Sequence, residues 1–136
     1  MIQVELVKII IDEKRQDQII VLKEKSGERQ FPIVIGFLEA SSIKMRISGI
    51  EAPRPLTHDL LVNVITMLGA KVERLIIDKM VQNTFHGKIE LKLKNEQQTI
   101  LVDTRPSDGI AIAVRAAAPI FVEEEVLEKV ALFKQE

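Results

Sequence analysis

The sequence contains no cysteine. Disulfides, thiolate nucleophiles and cysteine-ligated zinc are therefore excluded, and the composition leans toward a reducing compartment. Tryptophan and tyrosine are also absent, and five phenylalanines are the whole aromatic complement. Stacking on aromatic rings, worth ~1–3 kcal/mol per base, is thus a small resource for gripping single strands. No charge of one sign prevails: 19 basic against 20 acidic residues leave a formal net charge of −1. Proteins that hold nucleic acid by its phosphates usually carry a basic excess, so such binding here needs a local patch. No apolar run approaches the ~20 residues that cross a bilayer. The opening Met1-Ile2-Gln3-Val4-Glu5 is charged too early for a secretory signal. The expectation is a cytoplasmic protein with no membrane partner.

What is present is a globular composition, 46% hydrophobic and 29% charged over 136 residues. It suits one domain, residues 1–136, of α+β class. Residues 2–11 are apolar on both faces, which fits a strand with a bulge near Leu6-Val7. Gln18 to Lys23 and Gln30 to Ile35 read as a hairpin through Lys25-Ser26-Gly27-Glu28. Helices follow at 37–48, with Phe37, Ala40, Ile43 and Ile47 inward, and at 58–68. The second half repeats the order, with strands at 72–77, 88–94 and 99–102 and helices at 107–117 and 123–133.

Laying residue n on n+66 or n+67 matches Ile35 to Val102, Ile43 to Ile110, Pro53 to Pro119 and Leu61 to Leu127. The spacing predicts an internal repeat, about 2–69 and 70–134. Two β3-α2 units then share one curved, barrel-like mixed sheet covered by helices. Stretches such as Ile9-Ile10-Ile11 and Ile19-Ile20-Val21 exceed what one small sheet face buries, which predicts a homodimer.

Two polar clusters open helices in this scheme. In Pro53-Arg54-Pro55-Leu56-Thr57-His58-Asp59-Leu60-Leu61 the prolines forbid helix, and Thr57 is placed to cap the helix that follows. Asp59 falls in the first turn, where the helix dipole favours an anion. Leu60, Leu61, Val64, Ile65 and Leu68 make one apolar stripe, ended by Gly69. His58 is left facing solvent, and imidazole is the side chain suited to proton transfer near neutral pH. The second cluster is Asp103-Thr104-Arg105-Pro106-Ser107-Asp108-Gly109. If the repeat brings the ends of strands 33–35 and 99–102 together, Asp59, Asp103 and Asp108, with Glu39 beside them, offer oxygens to a hard cation such as Mg²⁺ or Mn²⁺. Arg105 then faces a phosphate.

The same residues fit a plainer role. Thr, Ser and Asp at helix starts are caps worth ~1 kcal/mol each, and neighbouring Asp and Arg form surface pairs worth ~0–1 kcal/mol. There is no P-loop, GxGxxG, HExxH or GxSxG. Glu123-Glu124-Glu125 reads as acids at a helix start, and His86 as a turn or surface residue. Lys88, Lys92 and Lys94 alternate on the wet side of a strand and form the best local basic patch.

The stretches Phe31-Pro32-Ile33-Val34-Ile35-Gly36 with Glu39-Ala40, Pro53 to Leu60, Thr84-Phe85, and Val102 to Asp108 with Ala118-Pro119-Ile120 resemble the bifunctional nuclease (BFN) family. The resemblance runs from about Val4 to Val130. It implies a small α+β domain of two β3-α2 repeats around one curved sheet, often dimeric, and activity on DNA and RNA as described for some plant members. By motif match it carries over Glu39, Thr57, His58, Asp59, Asp103, Arg105, Ser107, Asp108 and Arg115. The candidate catalytic groups are then His58, Asp59 and Asp108, and the candidate substrate contacts Arg54, Thr57, Arg105, Ser107 and Arg115. The candidate metal ligands are Asp59, Asp103 and Asp108, with Glu39 as a fourth. Two functions stay open: metal-assisted hydrolysis of phosphodiesters in DNA or RNA, and a non-enzymatic binding or dimerisation module.

Overall fold

Period-two alternation builds two antiparallel meanders in the computed structural model, which describes residues 1–133. β1 (Ile2–Ile10), β2 (Asp17–Glu24) and β3 (Arg29–Gly36) form the first. β4 (Ala70–Val81), β5 (Thr84–Leu93) and β6 (Thr99–Thr104) form the second. Gln82 and Asn83, both at positive φ, close the β4–β5 hairpin in two residues, the twist such hairpins favour. A three-residue strand, β7 (Ile120–Val122), joins the meanders by pairing parallel to β4 and antiparallel to β1. With β8 (Leu132–Phe133) outside β3, the order is β6-β5-β4-β7-β1-β2-β3-β8. The result is one mixed sheet that stays open, ending at β6 and β8.

Each meander is followed by two helices: α1 (Phe37–Ile47) and α2 (Thr57–Met67), then α3 (Pro106–Ala116) and α4 (Glu124–Val130). Gly49 and Gly69, at φ +74° and +83°, end the first two in the left-handed conformation that glycine adopts without strain. Alternate strand residues Ile20, Leu22, Phe31, Ile33, Ile35, Leu75 and Ile77 are buried, and Ile43, Ile110 and Leu127 meet them from the helices. α3 lies close on the sheet because Gly109 has no Cβ, where one would stand 2.5 Å from Leu75 Cδ1.

The α+β class and the order of elements match the expectation, and the bulge falls between Leu6 and Lys8. Several details differ. β7 was not foreseen, because three residues after a proline carry too little periodicity to announce a strand. α4 stops at Val130 instead of 133, since Ala131 turns extended and Leu132-Phe133 pair with Gln30 and Arg29. In α1 the buried residues are Ala40, Ser42 and Ile43, while Phe37 and Ile47 are exposed. The expected apolar stripe of α2 faces outward: Leu60, Leu61, Val64 and Leu68 are exposed and Ile65 is partly covered. Ile20 is fully buried and Ile9, Ile11, Ile19 and Val21 are half-buried, while Ile10 is exposed, and further large apolar side chains are exposed on α1, α2 and β6. His86 sits half-buried in β5 opposite Lys79, and Lys88 is paired with Asp103. Among the described residues no helix is long and apolar enough to cross a membrane. Residues 134–136, included in the expected domain and repeat, lie outside the described residues.

Candidate functional site

Three helices bring their polar residues to one junction. α1 starts directly after β3, and a side chain at Gly36 would collide with the Glu39 carboxylate, so the glycine lets Glu39 fold back. One turn on, Ser42 is buried against α2 and α3. α3 starts after β6 with Arg105 at the N-cap position, Pro106 at its first residue and Asp108 two residues on, still in the first turn. Pro at that position costs nothing, because its missing N–H is unpaired there in any helix.

α2 begins one residue earlier than expected. Leu56 occupies the N-cap in an extended conformation, and its N–H donates to Asp59 Oδ2 at 2.9 Å. Thr57 is therefore the first helical residue, exposed and making no cap hydrogen bond. A carboxylate reaching back is a stronger acceptor than a hydroxyl, and the helix dipole favours it there. His58 lies on the inner face of α2 with Val62 and Ile65, which pack against the core. It is buried, 8% exposed, and not the solvent-facing side chain expected.

His58 bridges the other two helices. Its Nδ1 lies 2.8 Å from Ser42 Oγ and its Nε2 lies 3.0 Å from Asp108 Oδ1. Burial alone would raise the Asp108 carboxyl, but the hydrogen bonds from His58 and Arg105 outweigh it and hold the pKa below the usual value. An ionised Asp108 only accepts, so Nε2 carries a proton, and in the neutral imidazole Nδ1 accepts from the Ser42 hydroxyl. The outer oxygen, Asp108 Oδ2, accepts from Arg105 Nε at 3.0 Å, and Arg105 Nη2 donates onward to Glu39 Oε1 at 3.1 Å. Arg105 remains largely exposed, with its pKa raised by Asp108 first and Glu39 second.

A second polar link lies beside the first. Arg115, from the last turn of α3, donates from Nε to Asp59 Oδ1 at 2.7 Å and from Nη2 to the Ser42 carbonyl at 3.3 Å. The Leu56 N–H, then Arg115, hold Asp59 below the usual carboxylate range. A cleft of about 460 Å³ opens there, lined by Arg46, Arg54, Asp59, Asn63 and Arg115. Another, of about 500 Å³, opens at the start of α3 with Gly36, Thr84, Phe85, Arg105 and Ser107 on its walls.

The structure thus unites His58, Asp108, Arg105 and Glu39, and places Asp59, Arg115 and Arg54 together along the neighbouring cleft. Ser107 is buried beside Arg105 on the wall of the other cleft. Asp103 belongs to neither group. It is exposed on β6 and its Oδ1 accepts from Lys88 Nζ of β5, directly across the ladder, at 2.9 Å. The expected set of Asp59, Asp103, Asp108 and Glu39 as shared cation ligands does not form, because Arg115, Lys88, Arg105 with His58, and Arg105 respectively hold those carboxylates. Among the described residues no group of three or more His, Asp or Glu side chains has the geometry to hold a metal ion. Among the described residues these four carboxylates do not converge into a shared site for Mg²⁺ or Mn²⁺. Ser42 and Arg46 were missed, although Glu39, Ser42 and Arg46 recur at i, i+3 and i+7, a polar stripe legible on α1.

Fold and junction together define an α+β protein in which two three-stranded meanders carry helices that meet at a His–Asp–Arg cluster. The chain belongs to the bifunctional nuclease domain family, whose model matches residues 20–135. It is similar to an uncharacterized protein of Mycobacterium tuberculosis, 37% identical over 130 residues that cover 96% of this chain and 76% of that protein. It is also similar to Bifunctional nuclease 1 of Oryza sativa subsp. indica, 32% identical over 111 residues, 79% of this chain and 33% of the rice protein. Bifunctional nuclease 1 of Arabidopsis thaliana is 27% identical over 107 residues, 77% of this chain and 33% of that protein. The chain spans about a third of these plant relatives.

Proposed function

We propose that this protein hydrolyses phosphodiester bonds of DNA or RNA at the His58–Asp108–Arg105 cluster. One observation carries the reading. His58 and Asp108, fifty residues apart and from the two motifs shared with the family, meet at 3.0 Å with an exposed arginine on the same carboxylate. Arg105 is placed to neutralise charge on a phosphate. Asp108, partly exposed, takes the proton of the attacking water as the new P–O bond forms, and the same proton passes from Asp108 to the departing oxygen as the old P–O bond breaks. His58 and Ser42, both buried, hold the Asp108 carboxylate in position. The names of the rice and Arabidopsis relatives support the choice of reaction.

The expected outcome is cleavage of single-stranded DNA and RNA by the wild type, with a loss of ~10²-fold or more in Asp108→Asn and His58→Ala, each assayed well below its own melting temperature because both substitutions also remove hydrogen bonds that hold α2. Asn keeps the shape of Asp108 but removes the charge and replaces one of its two acceptor oxygens with an N–H₂ donor. Parallel arms with Mg²⁺, Mn²⁺ and EDTA decide whether a cation takes part. Equal trace activity in all three proteins would sink the reading.

A second reading has its own observation. Each motif carboxylate is already paired with a cation, as expected of a binding or dimerisation module. We also propose a homodimer in which a second copy covers the exposed apolar face of α2, Leu60, Leu61, Val64, Met67 and Leu68. The net charge of −1 sets up little repulsion between copies.

A further inference from the structure

The cleft beside Asp59 is lined by three arginines drawn from three parts of the chain. Arg46 comes from the last turn of α1, Arg54 from between two prolines, and Arg115 from the last turn of α3. Arg115 is anchored by Asp59, the Ala111 carbonyl and the Ser42 carbonyl, which occupy three of its five N–H donors. Arg46 and Arg54 are exposed, and among the described residues neither forms an ion pair. Pro53 and Pro55 restrict the backbone on either side of Arg54, so less freedom is lost when it is held by a ligand. Of the two acids on the lining, Glu51 and Asp59, the second is already taken by Arg115 and the Leu56 N–H. Among the described residues no aromatic side chain lines the cleft.

We propose that this cleft is a phosphate-binding site, separate from the His58–Asp108–Arg105 cluster, that holds a backbone phosphate of single-stranded nucleic acid. In its choice of nucleic acid it rests on the hydrolase reading above. Guanidinium forks match phosphate oxygens two at a time, which a compact ammonium does not. The cleft and the cluster share Ser42, whose carbonyl meets Arg115 and whose hydroxyl meets His58, and they flank the consecutive residues His58 and Asp59. A strand held in the cleft therefore lies next to the cluster. With no ring to stack on, the grip is on phosphate, not base, so binding is sensitive to salt and indifferent to sequence.

The test is fluorescence anisotropy of short labelled oligo(dT) and oligo(rU) in EDTA, titrated between about 50 and 200 mM salt. The double variant Arg46→Gln/Arg54→Gln is compared with wild type and with Lys8→Gln/Lys129→Gln, which removes the same charge from exposed positions elsewhere. The arginine pair is expected to raise Kd about tenfold or more and to flatten the log–log salt slope by about 1.4, two contacts at about 0.7 each. The lysine pair is expected to stay within about twofold. Equal weakening by both pairs, or no binding by wild type, would overturn the proposal. Competition by inorganic phosphate or AMP as effective as that of unlabelled oligonucleotide would assign the cleft to a free phosphate ligand and overturn backbone binding. The two readings fail separately. Wild type that binds through the arginines without cleaving sinks the hydrolase, whereas cleavage with binding untouched by the arginine pair sinks the cleft.

Discussion

α2 and α3 are both eleven residues long and both carry an aspartate in the first turn, yet α3 buries seven residues and α2 buries one. The one is His58. α3 is fixed by apolar packing against β4 and β5, with Ile110 and Ala111 fully covered and Gly109 tight on Leu75. α2 is fixed largely by polar links, from His58 to Ser42 and Asp108 and from Asp59 to Arg115 and the Leu56 N–H. One helix is a floor and the other a cover held at its first turn. The covering helix bears both His58 of the cluster and Asp59 of the arginine cleft, so the polar links that seat it also position the two sites.

The contrast is most sharply tested on stability. Ile110→Ala, in the floor, is expected to cost about 2–5 kcal/mol, because it removes a fully buried side chain and leaves a cavity. Leu60→Ala, one position nearer the helix start in α2 and 56% exposed, is expected to stay within about 0.5 kcal/mol. Urea denaturation of both variants measures the difference, and equal losses would mean that α2 is packed as α3 is.

The polar seating of α2 predicts a smaller, pH-dependent effect. Asp59 and Asp108 titrate below their unfolded values, the first through the Leu56 N–H and then Arg115, the second through His58 and Arg105 against the cost of burial. A carboxyl with a lowered folded pKa stabilises the fold above its unfolded pKa of about 3.9 and ceases to as pH falls through the lowered value. Asp59→Asn is therefore expected to lower stability at neutral pH and to flatten its decline below about pH 4. Melting temperatures across that window check the sign, and an unchanged pH profile would remove Asp59 from the seating of α2.

The smallest effect on the fold is expected from Leu61→Ser/Met67→Ser on the open face of α2, within about 0.5 kcal/mol per site. The same pair is expected to turn a dimer into a monomer in sedimentation velocity. A wild type already monomeric at tens of micromolar would leave the apolar face without a second copy.

The alternation in residues 30–35 is legible as a strand because Phe31, Ile33 and Ile35 bury one side of it, and the bulge at Val7 is legible because the apolar face switches there. β6 was equally legible as a strand, but Ile100, Leu101 and Val102 are all exposed at the edge of the sheet. Periodicity says which side chains share a face and not whether anything covers it. The stripe on α2 was misjudged for the same reason. The pairing of His58 with Asp108 followed from the two motifs only as proximity, and the partner Ser42 was hidden in a helix read for its apolar positions.

By itself the sequence determined the local chemistry: strands from alternation, helix starts from prolines and acids, helix ends from Gly49 and Gly69, and the family from two long motifs. These depend on neighbours within a few residues, where backbone preference and side-chain period act. The tertiary structure decided which charges meet. Asp103 faces Lys88 because strand register puts them opposite, and His58 turns inward because it shares a helix face with Val62 and Ile65, which pack on the core. Spacing along α2 fixes which residues share a face, but only the packing of the whole fold decides which face is covered and makes the imidazole the buried bridge between three helices.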